Sequence, residues 1–422
     1  YTNTAARTRL PAAPVRWRMP YSGPVTAEGQ GDYVPGNGTG KEAFARLKPE
    51  LWLLDPAVVH LNHGSYGAVP TPVLEAQRSA AERIERSPER FYRADLGPAM
   101  DDVRGRVAGF LRTEAAGLAL VQNATEAVQV VLQSLDLQPG AQIVFTDHTY
   151  WWVQTAIARA CDTYGAVPRT VRVRELGDPV ARDAALVSDI VAAITPRTAL
   201  VVLDQITSAS ALRLPVDEVI AAVGSSVPLL IDGAHAPGVI ERPVPAGAAF
   251  WLGNLHKWAL AARTAAALVV APEWRQRVRP LVSSAGQADG FPGSFSYLGT
   301  QDPTAYLALP AALAFPEEHL QFSFTQLGRR NTALLEEGLA TVAQRLGVPP
   351  AVPNGLPLNV LDLGREASPD AAAELTHRLR QAGVEVALTS VAGRLNARVS
   401  AQAYVGIEDF TALAEALQHE LD

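Results

Sequence analysis

Residues 252–258 read LGNLHKW and the tetrapeptide DGAH stands at 232–235, so Asp232 precedes Lys257 by 25 positions (257 − 232 = 25). A lysine amine is a poor nucleophile while it is protonated. Flanked by His256, Trp258 and apolar sequence, Lys257 is suited to a depressed pKa and to holding an aldehyde cofactor through its amine. An isolated lysine is ordinarily an exposed surface residue; here the neighbouring sequence decides otherwise.

Outward from that pair, short apolar runs alternate with helical stretches: GLALVQ (117–122), QIVFT (142–146), PRTVRV (168–173), ALVVLD (199–204), PLLID (228–232), AAFWL (248–252) and AAALVV (265–270). Seven such runs, several without polar alternation, predict strands buried on both faces of a mainly parallel sheet. The helices between them make the region an α/β domain. Ligands on such sheets sit at the carboxyl ends of the strands, and the unusual residues fall there. After the first run come Asn123, Ala124, Thr125 and Glu126, then the helical pattern AVQVVLQSL. Asn123 or Thr125 can cap that helix, whose free amides make an anion site. After the second run come Asp147, His148, Thr149, Tyr150, Trp151 and Trp152, an imidazole and three aromatics at one strand end. Gln205, Ile206, Thr207 and Ser208 follow the fourth run, and Asp232 ends the fifth.

From about Phe315 the pattern changes to the strands LPLNVLDL, VEVALT and LNARVSA among helices such as PDAAAELTHRLRQAG and IEDFTALAEALQHEL. The expected layout is an irregular extension over 1–40, an N-terminal segment lining the active site over 41–70, a large cofactor-binding domain over 71–314 and a small α+β domain over 315–422.

The motifs NHGSYG (62–67), NAT (123–125), DGAH (232–235), HKW (256–258), GTQD (299–302) and RVSAQAY (398–404) follow one another in this order. Together they resemble the class V aminotransferase family of fold-type I pyridoxal phosphate enzymes, in its isopenicillin N epimerase-like branch, from about Leu51 to the C-terminus. The resemblance implies pyridoxal 5'-phosphate held as a Schiff base by Lys257, with Asp232 keeping the pyridine nitrogen protonated. His235 would lie near the phenolic oxygen of the ring or the substrate. The cofactor phosphate would rest on Ala124, Thr125 and His256, and Ser208 belongs to a segment that resembles the family's His-Ile-Thr-Ser. Gly299 and Thr300 would reach the phosphate of a neighbouring subunit, which implies a homodimer with shared sites. His148 or Tyr150 would cover the ring, with His148 favoured. Arg398 would grip the carboxylate of an amino-acid substrate bidentately, beside a loop of Asn62, His63, Gly64 and Ser65. The chain departs from the family at Gln205, where histidine is usual, at Ala261–Thr264, where a proline and a Lys-Gly pair are common, at Gln301 and at Val405.

The 422 residues suffice for two domains, and 48% hydrophobic content describes a globular protein with ample core. No run of about 18 apolar residues is present, so no membrane span is expected. A formal net charge of −7 argues against nucleic acid held by general electrostatics. The first 40 residues are rich in Arg, Pro, Gly and Thr and lack the apolar segment of a secretory signal, which makes a cytoplasmic enzyme the expectation. The chain opens on Tyr1, with Met19 as an alternative native start. GNGTGK at 36–41 has Pro35 in place of the first glycine of a phosphate-binding loop and Glu42 in place of its hydroxyl residue. HGSYG at 63–67 has His63 in place of the first glycine of a nucleophile elbow. His60 and His63 have no third ligand nearby, so no metal site is read. Cys161, in the helical TAIARACDTYG, reads as a buried structural thiol.

In the family the freed Lys257 takes the α proton of the substrate, and the fold does not choose the fate of the resulting carbanion. A cysteine desulfurase needs a mobile nucleophilic cysteine, and Cys161 lies in the wrong part of the chain. Relatives of this branch include epimerases, hercynylcysteine sulfoxide lyases and lincosamide-assembly enzymes that process S-conjugated cysteine. The expectation is β-elimination on an S-substituted cysteine, a C–S lyase of antibiotic or other secondary metabolism, because it requires one base and no acid on the opposite face. Epimerisation of an amino acid or peptide is the alternative, with His63, His148 or Tyr150 as the second group; transamination and decarboxylative or oxidative deamination rank after it. A non-catalytic module would have lost Lys257 or Asp232, and a nicotinamide dehydrogenase would carry a GxGxxG turn, which is missing.

Overall fold

The computed structural model describes residues 44–174, 178–366, 368–391 and 393–421. The extension read over 1–40 and the GNGTGK segment lie outside the described residues. The described chain enters through a two-residue strand, β1 (Val59–His60), and one helical turn at His63–Tyr66, where a glycine-rich loop was expected. A helix over Thr71–Arg86 follows, with Pro72 in its first turn, where the missing N–H costs nothing.

The seven apolar runs become the seven strands of one sheet: β2 (Leu118–Val121), β3 (Gln142–Thr146), β4 (Val167–Val171), β5 (Thr198–Asp204), β6 (Leu229–Asp232), β7 (Phe250–Asn254) and β8 (Ala266–Val270). Their order is β2-β8-β7-β6-β5-β3-β4. Only β8 runs against its neighbours β2 and β7, so the sheet is mainly parallel. Every residue of β6, β7 and β8 is buried, which is why their sequences show no polar alternation. In β4, by contrast, four of the five residues of VPRTV are exposed. That strand lies at the sheet edge, and Pro168 and Arg169 suit an edge. From β3 the chain steps outward to β4, then returns to the other side of β3 for β5, β6 and β7. The carboxyl ends of β3 and β5 therefore flank a point where the strand order reverses, the place where such sheets bind ligands.

The C-terminal part opens with a helix over Phe324–Leu346, started by a capping box between Ser323 and Gln326. It continues through β9 (Leu358–Glu366), a helix over Pro369–Gln381, β10 (Val384–Glu385), β11 (Ala387–Val391), β12 (Arg394–Ser400) and a helix over Ile407–Leu421. β9, β11 and β12 form an antiparallel sheet in the order β11-β12-β9. The strand read as VEVALT breaks at Val386, so that β10 pairs in parallel with β1 while β11 pairs with β12. The Ser400 N–H donates to the Leu61 carbonyl at 2.9 Å, and the Gly64 N–H donates to Ser400 Oγ at 3.2 Å. These bonds bring the NHGSYG turn against β12 and its Arg398.

Candidate active site

Lys257 follows the end of β7 on a turn pinned to both neighbouring elements. Asn254 Oδ1 accepts from the Ala124 N–H at 2.9 Å, and Leu255 N–H donates to the Ala265 carbonyl at 3.0 Å. The lysine amine stands 3.1 Å from His235 Nε2, while Trp258 Nε1–H donates to His235 Nδ1 at 3.3 Å. An indole only donates, so Nδ1 is the acceptor, and Nε2 carries the proton of the neutral ring. His235 thus presents an N–H to the neutral form of the amine. Burial, then Arg398, pulls the Lys257 amine down to about 7, against the pull of Asp232. Burial, then Lys257, holds His235 well below the ordinary imidazole range.

His63 is buried against the lysine backbone and does not line the cavity that Lys257 lines. Its Nε2 donates to the Lys257 carbonyl at 3.1 Å and its Nδ1 accepts from the Tyr404 hydroxyl at 3.0 Å. Burial lowers its pKa to about 4, so the ring is neutral at physiological pH. Gly67 closes the same turn at φ +70°, and a Cβ there would meet the His256 carbonyl oxygen at 2.4 Å. Gly67→Ala is expected to cost at least about 2 kcal/mol, from the left-handed backbone plus the clash, and to displace Lys257. Denaturant unfolding together with cofactor retention on dialysis checks this. Gly140→Ala, at φ +80° with open space around it, isolates backbone strain and should keep the cofactor.

At the ends of β5 and β6 two buried aspartates stand side by side in register, Asp204 and Asp232. Asp232 Oδ1 accepts from the Ala234 N–H at 2.9 Å, and its other oxygen makes no hydrogen bond among the described residues. The Tyr150 N–H reaches Asp204 Oδ1 at 3.3 Å. His148 Nδ1 lies 2.7 Å from Ser210 Oγ, which is 2.8 Å from Thr207 Oγ1, so the imidazole is held by a hydroxyl chain. Both His148 and Tyr150 line the cavity that Lys257 also lines. Gln205, in place of the usual histidine, turns away: it accepts from Trp251 Nε1 at 3.2 Å and donates to the Pro243 carbonyl at 2.9 Å.

The cavity measures about 630 Å³, and Lys257 and Arg398 share its walls with Gly64, Ser65, His148 and Tyr150. A larger cavity of about 990 Å³ lies beyond His148, but neither Lys257 nor Arg398 reaches it. Arg398 is 5% exposed. One terminal nitrogen donates to the Ser208 carbonyl at 2.8 Å and lies 3.3 Å from its hydroxyl; the other donates to Asn62 Oδ1 at 3.0 Å and Ser65 Oγ at 2.5 Å. Its Nε is buried without a partner among the described residues. Burial lowers its pKa to about 10, which still leaves a full positive charge at neutral pH. Neutral oxygens therefore hold a preorganised fork that a carboxylate would bind more strongly.

At the start of the helix Ala124–Ser134, Asn123 is the cap, its Oδ1 accepting from the Glu126 N–H at 2.9 Å. Ala124 spends its N–H on Asn254, while the N–H and hydroxyl of Thr125 make no hydrogen bond among the described residues and remain open to an anion. His256 Nδ1 donates to the Ala265 carbonyl at 3.1 Å, and burial lowers its pKa to about 4. Its Nε2 would need a second proton to receive a phosphate, and the charge of the phosphate favours that proton. Arg263 donates to the Gly67 carbonyl at 2.9 Å, bracing the turn around Lys257. Gly299 and Thr300 lie on a separate loop: Gly299 has φ +105°, Thr300 Oγ1 is 3.3 Å from the Tyr297 hydroxyl, and neither lines the Lys257 cavity. The sequence assigns no site role to Asp204, Asn254 or Tyr404, and marks Trp258 only as a neighbour of Lys257. Asp204 and Asn254 end apolar strands, which is the signal that could have marked them. Among the described residues no group of three or more His, Cys, Asp or Glu side chains is placed to hold a metal.

Residues 69–346 match the family model for class V aminotransferases. The chain belongs to the class V aminotransferase family. It is 29% identical to the isopenicillin N epimerase of Streptomyces clavuligerus over 388 residues, 86% of this chain and 95% of that one. It is 27% identical to the L-cysteine desulfhydrase of Arabidopsis thaliana over 276 residues, 61% of this chain and 60% of that one. Its fold is like that of the cystine C-S lyase C-DES in complex with cysteine persulfide (TM-score 0.72, 19% identity, 85% of this chain and 97% of that one). As a class V aminotransferase family member the chain is a pyridoxal phosphate enzyme. Its own residues fit that group: an amine with a lowered pKa inside a cavity, a buried carboxylate with one oxygen lacking a hydrogen bond, and a helix start with an open N–H and hydroxyl. No helix among the described residues is long and apolar enough to cross a membrane.

Proposed function

We propose that this enzyme breaks the carbon–sulfur bond of an S-substituted cysteine by β-elimination. The observation that carries the reading is Lys257: its amine, with a pKa of about 7, can both take and return a proton near neutral pH, and the His235 contact at 3.1 Å fixes its position. Asp232 would hold the pyridine nitrogen, Thr125, Ala124 and His256 the phosphate, and His148 one face of the ring. Bound so, the cofactor supplies a sink for negative charge at the α carbon. Arg398 orients the substrate carboxylate, so that the Cα–H bond points at Lys257. Lys257 takes that proton, the electron pair expels sulfur from Cβ, and the proton on Lys257 is available to the departing thiolate. The three-carbon fragment leaves and hydrolyses to pyruvate and ammonia. One base serves the whole sequence. His63, which could serve the opposite face, instead bonds the Lys257 carbonyl and does not line the Lys257 cavity, which supports a one-base reaction.

Epimerisation is the second reading, favoured by Tyr150, whose phenol lines the same cavity and is pushed up by burial and then by Tyr66, so that it keeps its proton. Incubating the cofactor-loaded enzyme with several S-substituted cysteines in deuterium oxide separates the two. Release of pyruvate, ammonia and thiol in equal amounts is the expected result. Deuterium exchange at the α carbon with inversion and no pyruvate would overturn elimination and establish epimerisation. We also propose a homodimer, in which the Gly299–Thr300 loop of a second copy meets the site; the GTQD motif at 299–302, one of those that resemble the family, supports this.

A further inference from the structure

Asp204 has no part in the proposed reaction, yet it is the most enclosed acid of the site. It ends β5 and stands in register with Asp232 on the neighbouring parallel strand β6. Paired residues on adjacent strands project from the same sheet face with backbones roughly 4.8 Å apart. The two side chains are 2% and 3% exposed. Asp204 Oδ1 is occupied by the Tyr150 N–H at 3.3 Å, and the nearby Thr149 hydroxyl restrains the rise that burial imposes on this carboxyl. Asp204 Oδ2 is buried and has no partner among the described residues. The groups that face Asp204 are Thr149, Tyr150 and Asp232; the cation that acts on the pair, Lys257, acts on Asp232.

Two buried carboxylates on one face cannot both keep a negative charge, and an ionised oxygen with neither hydrogen bond nor cation is the one to give way. We infer that Asp204 is a protonated positioning residue, whose buried Oδ2 carries the single proton of the pair, so that the one negative charge stays on Asp232, the carboxylate offered to the cofactor. The proton stays on Asp204 because burial, then Asp232, pushes that carboxyl well above the ordinary range, whereas the Ala234 N–H and Lys257 restrain the rise that burial imposes on Asp232. A neutral Asp204 leaves Asp232 as the ionised member of the pair, without a second negative charge beside it. The proton between Asp232 and the pyridine nitrogen then rests on nitrogen, and the pair carries one negative charge against one positive charge. A fully ionised pair would carry two.

The inference rests on the cofactor assignment for its consequence but not for its first test. Infrared spectra of the full-length protein without cofactor, labelled with ¹³C-aspartate, are expected to show a protonated-carboxyl carbonyl band that persists at pH 8 and is lost in Asp204→Asn. A spectrum with carboxylate bands alone at pH 8 would overturn the inference, whatever the variant does. With cofactor bound, Asp204→Asn keeps a neutral hydrogen-bond donor, so the pH at which the visible band titrates is expected to stay within about 0.3 units of the natural protein. Asp204→Leu leaves the Tyr150 N–H without its acceptor and is expected to weaken cofactor binding by about tenfold or more. A fall of about one unit or more in Asp204→Asn is the effect of deleting a full negative charge, and it would overturn the inference.

Discussion

Lys257→Ala is expected to lower turnover at least roughly 10³-fold, through loss of the positioned base and of the covalent hold on the cofactor. The expected size comes from how the amine is prepared. In water a lysine titrates near 10.4, so at pH 7 about one amine in a few thousand is neutral. At a pKa of about 7 roughly half are, and the neutral form is the one that takes a proton or attacks an aldehyde. Capture of added cofactor by the empty protein should therefore rise with pH up to about 7 and level off above it, where an ordinary surface lysine would keep gaining rate to about pH 10. The visible band of the bound cofactor reports both effects. The sign of the linkage separates chemistry from folding. A folded pKa below the unfolded value means that the unfolded chain binds more protons between about pH 7 and pH 10.4, so stability rises with pH across that window and the buried ammonium is a cost below it. Lys257→Ala removes that cost, and its thermal unfolding at pH 7 should not fall below that of the natural protein. Turnover within tenfold of the natural enzyme would remove Lys257 from the role given to it.

The same preparation explains which parts of the site could be read in the sequence. Most of the seven strands were legible because burial on both faces leaves an uninterrupted apolar run, and the positions at or just after the ends of those runs hold Thr125, His148, Ser208, Asp232 and Lys257. Asp204 was not legible, although it also ends a run. Its meaning depends on β5 lying next to β6, a neighbour relation that nothing in the spacing of residues 204 and 232 reveals. The turn at His63–Tyr66 reads as a glycine-rich loop, yet it is helical because Asn62 and Ser65 are fastened to each other at 2.8 Å and to Arg398, more than 300 residues later. The break at Val386 has a similar cause. VEVALT has the composition of one strand, but its first half is drawn to β1 and its second half to β12. Gly299 and Thr300 gain no meaning from a single chain, whether as sequence or as structure, since their place in the reading depends on a second copy.

Arg398→Lys tests whether the geometry of the fork, and not its charge alone, selects the substrate. Asn62, Ser65 and Ser208 come from the N-terminal segment and the β5 end, and together they give oxygens to both terminal nitrogens of one guanidinium. A lysine ammonium is a point charge on a flexible stem and cannot satisfy them together or present two parallel N–H groups to a carboxylate. Leaving partners of a buried charge unpaired costs about 2–5 kcal/mol, roughly 30- to several-thousand-fold in kcat/KM. The loss should fall mainly on KM, because the carboxylate is held alike before and during the chemistry. It should also shrink the preference for a free amino acid over its α-carboxamide. Arg398→Gln adds an independent reading. Arg398 is second only to burial in holding the Lys257 amine down. Removing that positive charge lets Lys257 keep its proton to higher pH, so the acidic limb of the rate profile should move upward in Arg398→Gln and stay in place in Arg398→Lys. An unchanged KM in both variants would mean that the substrate carboxylate is held elsewhere. An unmoved limb in Arg398→Gln would mean that the guanidinium and the amine, although they line one cavity, are electrically screened from each other.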